Sequence, residues 1–226
     1  FGLGLAMDGE RIVLGAPWAN DGQGRAHVFD RADVMFFETA VLADPNGASM
    51  DNFSFGMDVD GDLIAIGSYL DDDVAEDAGS LFLFQQAPTG WSLFQHIEPN
   101  GVSLIDDQFS VSIAIDNSVM LVGNRFADVD GLPAGAVTVF DLADSVWQLR
   151  SAIVSPEPTF EAEFGWSVAI DGDRGVVGGP WLEPDGEVRF FEGFTDTCGC
   201  IGDLNGDGTV GVSDVLQIIG MWGSCE

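Results

Sequence analysis

The chain has 226 residues, 46% of them apolar and 30 of them glycine, which is enough to bury a core and fits a turn-rich β protein while excluding a disordered chain. Its 38 acidic residues against 7 basic ones leave a net charge of −31, a surface that repels nucleic acid and anionic membrane and argues against both as partners. No apolar run approaches the roughly 20 residues a membrane helix needs, so the acidic excess reads as charge kept for solubility, in a setting that suits high salt or divalent ions.

The first predicted element is a hairpin, FGLGLAMDGERIVLG from Phe1. It recurs as FSFGMDVDGDLIAIG from Phe53, FSVSIAIDNSVMLVG from Phe109 and FGWSVAIDGDRGVVG from Phe164. In the second copy Phe53, Phe55, Met57 and Val59 alternate with small or polar residues, the period of a strand with one buried face. Asp60-Gly61 reads as the two-residue turn, and Leu63 to Ile66 read as a strand covered on both faces. The turns fall at Asp8, Asp60, Asp116 and Asp171, spaced by 52, 56 and 55 residues, and each hairpin closes on a glycine: Gly15, Gly67, Gly123 and Gly178. A variable polar loop follows, then a glycine and a third strand ending in phenylalanine (GRAHVF to Phe29, GSLFLF to Phe84, GAVTVF to Phe140, GEVRFF to Phe191). A fourth strand starts on Phe37, Trp91 and Trp147 and is missing from the last repeat.

Four strands per unit at this period predict an all-β fold, a β-propeller of four-stranded antiparallel blades at 1–52, 53–108, 109–163 and 164–194, the last incomplete. The FG of Phe1-Gly2 and Phe164-Gly165, the GAP of Gly15-Ala16-Pro17 and the DGD or DGE turns together resemble the FG-GAP repeats of integrin-α-type β-propellers. The middle copies carry Phe53-Ser54 and Phe109-Ser110 in place of FG. The resemblance implies a larger wheel, commonly of seven blades. An arc of four leaves two apolar blade faces exposed, and the chain opens on Phe1 inside a repeat, so further blades and a secretion signal are expected upstream.

Residues 195–226 read as a linker and a small calcium-binding tail. In CGCIGDLNGDGTVGVSDVLQIIGMWGSC, Asp203, Asn205, Asp207, Thr209 (through its carbonyl) and Asp214 fall at positions 1, 3, 5, 7 and 12 of an EF-type loop. Gly208 makes the sharp turn and Gly211 leaves room for a water. Hard oxygen donors alone select Ca²⁺ over zinc or copper. Val215, Leu216, Ile218, Ile219 and Trp222 follow on one face of a short helix. Loop plus helix resembles half of a type I dockerin, with one loop where dockerins carry two. The resemblance implies a cohesin-like or cell-surface partner, contacted at Val212 and Ser213, with Val210 the position a second loop would pair. A Cys200–Cys225 bridge would staple the tail, with Cys198 the alternative partner.

Catalytic patterns are missing: His27 and His96 lie inside strands, where packing or cross-strand polarity accounts for them, and no GxSxG or HExxH is present. The acidic run Asp71 to Asp77 reads as a solvated loop, with a divalent-ion site at a blade edge as the alternative, although it lacks the DxDxDG pattern of integrin propeller sites. Trp18, Tyr69 and Trp181 follow the hairpin glycines where loops emerge, as candidates to stack on a sugar or anchor a protein ligand. The sequence thus predicts a secreted, non-catalytic binding or adhesion propeller at the cell surface, for a protein or carbohydrate ligand, with a Ca²⁺-dependent attachment or sorting tail. The alternatives are a component of an extracellular polysaccharide-degrading enzyme with catalysis elsewhere in the parent chain, and a structural repeat protein of the envelope.

Overall fold

The computed structural model describes residues 1–99, 106–182 and 185–194. The calcium loop (Asp203, Asn205, Asp207, Thr209, Asp214), the cysteines and the tail contacts Val210, Val212 and Ser213 lie outside the described residues.

Period-2 alternation becomes four antiparallel sheets. The first holds β1 (Leu5–Asp8), β2 (Arg11–Ala16), β3 (Arg25–Ala32) and β4 (Met35–Leu42), and the second β5 (Met57–Asp60), β6 (Leu63–Ser68), β7 (Ser80–Ala87) and β8 (Gly90–Ile97). The third runs β9 (Phe109–Asp116), β10 (Val119–Asn124), β13 (Ala136–Ala143) and β14 (Val146–Val154), with a two-strand ribbon, β11 (Asp128–Val129) and β12 (Leu132–Pro133), in its loop. The fourth has three strands, β15 (Ser167–Asp171), β16 (Arg174–Gly179) and β17 (Glu187–Glu192). Strands lie in chain order within each sheet. First strands of consecutive sheets touch (β1 with β5, β5 with β9, β9 with β15), which is the propeller-like arrangement the repeat predicts. One short helical turn, α1 (Ala19–Gly22), interrupts the first polar loop.

The core is made between blades. Ile64 and Ile66 of β6 join Val13, Val28 and Phe53 in one cluster, while Ala65 between them joins Leu81, Phe109, Ile113 and Met120 in the next. A strand that is apolar on both faces therefore serves two cores. A third cluster sets Leu121, Val137 and Val139 against Phe164, Val177 and Phe194. Phe53, Phe109 and Phe164, each opening a repeat, are at most 2% exposed. The first and last blades carry exposed apolar side chains, among them Leu5, Met7, Val188 and Phe190.

Both glycine landmarks of the repeat are contacts with the following blade. A Cβ on Gly15, Gly67 or Gly123 would lie 2.2, 2.2 or 1.9 Å from the carbonyl oxygen of Ser54, Ser110 or Gly165. The glycines before the third strand, Gly24, Gly79 and Gly135, have φ of +82° to +89° and press on the backbone of Phe53, Phe109 and Phe164. Serine replaces glycine in the middle FG copies at φ of 78° (Ser54) and 73° (Ser110), a left-handed backbone that costs a non-glycine residue free energy. Its hydroxyl offsets that cost. Ser54 Oγ accepts from the Ala16 N–H (3.0 Å) and donates to the Arg25 carbonyl (2.7 Å), and Ser110 Oγ donates to the Ser80 carbonyl (2.7 Å). The serines are therefore inter-blade fastenings and not decayed copies of FG.

The hairpin turn sits one residue later than the sequence suggests. Asp60 pairs with Leu63 as the last strand residue, and the turn is Gly61-Asp62. Positive φ falls on Gly9 (53°), Gly61 (55°), Asn117 (54°) and Gly172 (57°). This shift frees the aspartate for the next blade. Asp8 Oδ2 accepts from the Gly61 N–H (2.8 Å), Asp60 Oδ2 from the Asn117 N–H (2.6 Å), and Asp116 Oδ2 from the Gly172 N–H. Asp60→Ala removes one such bond at an exposed place; a loss of about 1 kcal/mol is expected, read as a lower urea midpoint at unchanged slope.

Candidate functional site

The loops between second and third strands and the connections between blades emerge on the face opposite the hairpin turns. Two clusters form there. The first joins Asp44 and Asp51, from the 43–56 connection, to Asp71, from the loop after β6; their carboxylates each place an oxygen within 4.8 Å of the others. Each also accepts a local backbone N–H: Asp44 Oδ1 from Asn46 (2.8 Å), Asp51 Oδ2 from Ala48 (2.5 Å) and Asp71 Oδ1 from Asp73 (2.9 Å). The Asp51 carbonyl accepts from the Leu70 N–H (3.3 Å) and from Ser68 Oγ (3.1 Å), which locks the connection to the β6 loop.

Asp51 and Asp71 are buried, so the reading of residues 71–77 as a solvated run fails at its first residue; Asp72, Asp73 and Glu76 are exposed as expected. Burial pushes the Asp51 carboxyl up to about 6, the Ala48 N–H opposes it, and the charges of Asp71, Asp44 and Asp72 add to it. Asp71 and Asp44 are also raised, by burial first, with backbone N–H groups lowering both and His96 lowering Asp44. Two carboxylates at such a separation repel by about 3 to 4 kcal/mol at an effective dielectric near 20.

The second cluster surrounds Arg125. Its guanidinium lies 4.7 Å from the Phe126 ring centre, 4.8 Å from Trp166 and 5.8 Å from Tyr69, and Tyr69 in turn packs on Phe55 at 4.6 Å. These side chains occupy matching places in successive blades. Tyr69 and Arg125 stand two residues after a closing glycine, and Phe55 and Trp166 two residues after a repeat-opening phenylalanine. Among the described residues no carboxylate lies within ion-pair distance of Arg125, whereas Arg11, Arg31, Arg150, Arg174 and Arg189 are all ion-paired. Its Nε is buried without a hydrogen-bond partner. Glu163 stands close by; burial raises its pKa, and Arg125 and the Trp181 side chain lower it.

Of the aromatics picked from the sequence, Tyr69 meets Arg125 directly and Trp181, a residue 66% exposed, reaches the cluster through Glu163. Trp18 is 64% exposed at the start of the first polar loop. His27 Nδ1 lies 3.0 Å from Glu38, and His96 stacks on Phe82 at 4.4 Å, the packing and cross-strand polarity expected of both. Sequence reasoning missed Asp44, Asp51 and Arg125. For Arg125 the signal was present, since it shares the register position that singled out Tyr69.

Among the described residues, no helix is long and apolar enough to cross a membrane. Comparison with curated proteins finds no match. Residues 36–84 match the protein-family model of the FG-GAP repeat, a span that runs from β4 to β7 and holds the whole acidic cluster. The chain is therefore a propeller-like array of four antiparallel sheets, of which residues 36–84 are similar to the FG-GAP repeat.

Proposed function

We propose that the protein is a secreted, non-catalytic binding propeller that receives an extracellular protein ligand on its loop face, over Arg125, Tyr69 and Trp166. One observation carries this reading: in a chain of net charge −31, a half-buried arginine is left without an ion pair and set among three aromatic rings. Tyrosine, tryptophan and arginine are the side chains that dominate protein-binding hot spots. An unpaired guanidinium offers a planar fork for a ligand carboxylate, strengthened where the flanking rings exclude water. The tail, with Asp203, Asn205, Asp207, Thr209 and Asp214 as Ca²⁺ ligands, serves in this reading as an attachment or sorting element, supported by its donor spacing.

The exposed rings of Trp18 and Trp181 favour a second reading, a carbohydrate-binding component of an extracellular polysaccharide-degrading complex. Labelled protein applied at millimolar Ca²⁺ to a glycan array and to an array of extracellular proteins separates the two. Arg125→Ala and Trp166→Ala are each expected to weaken protein binding by about 30-fold or more, with Arg125→Lys recovering little because it lacks the planar fork. Unchanged binding by both alanine variants would remove the arginine cluster as the site. Signal on glycans alone, lost in a Trp18→Ala, Trp181→Ala double variant, would establish the carbohydrate reading instead.

A further inference from the structure

The hydrogen bonds of the acidic cluster leave one oxygen of each carboxylate uncommitted: Asp44 Oδ2, Asp51 Oδ1 and Asp71 Oδ2. Asp71 is only 2% exposed, and its Oδ2 is buried without a hydrogen-bond partner. Ser80 Oγ, also buried and unpartnered, stands near enough to favour the Asp71 charge but does not bond to that oxygen. The groups facing the cluster are the further acids Asp72 and Asp73, with His96 on the Asp44 side. Among the described residues, no arginine pairs with it.

The protein supplies its own comparison. By register, and by the hydrogen bonds that Leu70 and Phe126 make to the preceding connection, Asp51 and Asp71 correspond to Asp107 and Ala127 in the third blade. In the fourth they correspond to Ala162 and Leu182, both buried. The fold thus closes this place with an apolar pair in the fourth blade, while in the third Asp107 has the charges of Asp128 and Asp106 nearby. Among the described residues, only the second blade brings three carboxylates there within 4.8 Å of one another. A buried anionic cluster that the architecture does not require calls for a positive partner.

We propose that Asp44, Asp51 and Asp71 form a Ca²⁺ site that pins the connection between the first two blades to the β6 loop. The donors are hard oxygens with no nitrogen or sulfur among them, which excludes the softer metals. They come from two irregular loops, and Ca²⁺ accepts such geometry more readily than Mg²⁺, with waters and neutral oxygens such as Ser80 Oγ filling its remaining positions. The site lies on the face opposite the DGD and DGE turns, whose aspartates are spent on the next blade. It is independent of the ligand reading and of the tail.

Calorimetric titration of the full chain with Ca²⁺ tests the proposal, in a D203A/D207A background that disables the tail loop. That variant is expected to bind about one equivalent, and Ca²⁺ at about a hundred times its dissociation constant should raise the melting midpoint by about 5 °C or more. Adding Asp71→Leu, the residue the fourth blade uses, should abolish the binding and the Ca²⁺-dependent rise, while raising the midpoint in chelator by removing the repulsion. Should the leucine variant not fold, Asp51→Asn preserves the shape and is expected to weaken binding at least tenfold. No binding in the D203A/D207A background, or binding that neither Asp71→Leu nor Asp51→Asn diminishes, overturns the proposal. The difference between wild type and D203A/D207A reports separately on the tail.

Discussion

Gly123→Ala is expected to destabilise the protein by about 3 kcal/mol or more, although it adds a single methyl group. The new Cβ would stand 1.9 Å from the Gly165 carbonyl oxygen and 2.4 Å from Ser112 Oγ. The first of these is backbone and cannot rotate away. Relief requires the third and fourth blades to part, which loosens the cluster of Leu121, Val137, Phe164 and Val177 and the 2.7 Å bond from Ser112 Oγ to the Gly165 carbonyl. Backbone conformation is not the cause, because Gly123 lies outside the left-handed region. Gly61→Ala is the control: it has φ of +55° and no atom within 4 Å of a new Cβ, so it should cost only about 1 kcal/mol. Urea titrations of the two variants measure the contrast. Equal losses would mean that close approach of the blades is not what the closing glycine provides. Domains hold only about 5–15 kcal/mol in total, so the larger loss would leave a substantial unfolded population at 37 °C.

The second large effect is expected of Phe53→Ala, at about 3–5 kcal/mol. Phe53 is fully buried, edge-on to Phe82 at 5.5 Å and to Phe84 at 6.2 Å. It packs where the first two blades meet, beside Val13, Val28, Ile64 and Ile66. Two rigid sheets border the cavity it would leave, so little collapse is available to shrink it. Phe1 begins the first repeat in the same way but is 72% exposed, and Phe1→Ala should change stability by no more than about 0.5 kcal/mol. Thermal unfolding of both variants, followed by near-ultraviolet circular dichroism, tests whether the repeat-opening phenylalanine acts through the blade interface.

The contrast between those two phenylalanines marks what could be read from the sequence. Strand positions, hairpins and the wheel-like stacking follow from alternation within a few residues and from one recurring spacing, both properties of the chain as written. The partners of the repeat's landmarks do not. Nothing local distinguishes a glycine that turns the chain (Gly61) from one that receives a neighbour's carbonyl (Gly123), and Ser54 and Ser110 resemble erosion until the hydroxyl acceptors in the preceding blade are seen. The turn aspartates likewise pass for local chemistry, because their acceptor role is met 53 to 57 residues away. Asp44, Asp51 and Asp71 are scattered over two loops with no motif spacing, and only the folding of the 43–56 connection against the β6 loop brings them together.

The hydrogen bonds of the turn aspartates also give the array a polarity. In all three cases the acceptor lies on the earlier blade and the donor on the later one. Repeats joined this way are interchangeable in order but not in direction, like links that hook on one side only. Gene duplication of a whole repeat would therefore insert a new link that finds a hook behind it and presents one ahead, which allows such a protein to lengthen by copying without the invention of a new interface.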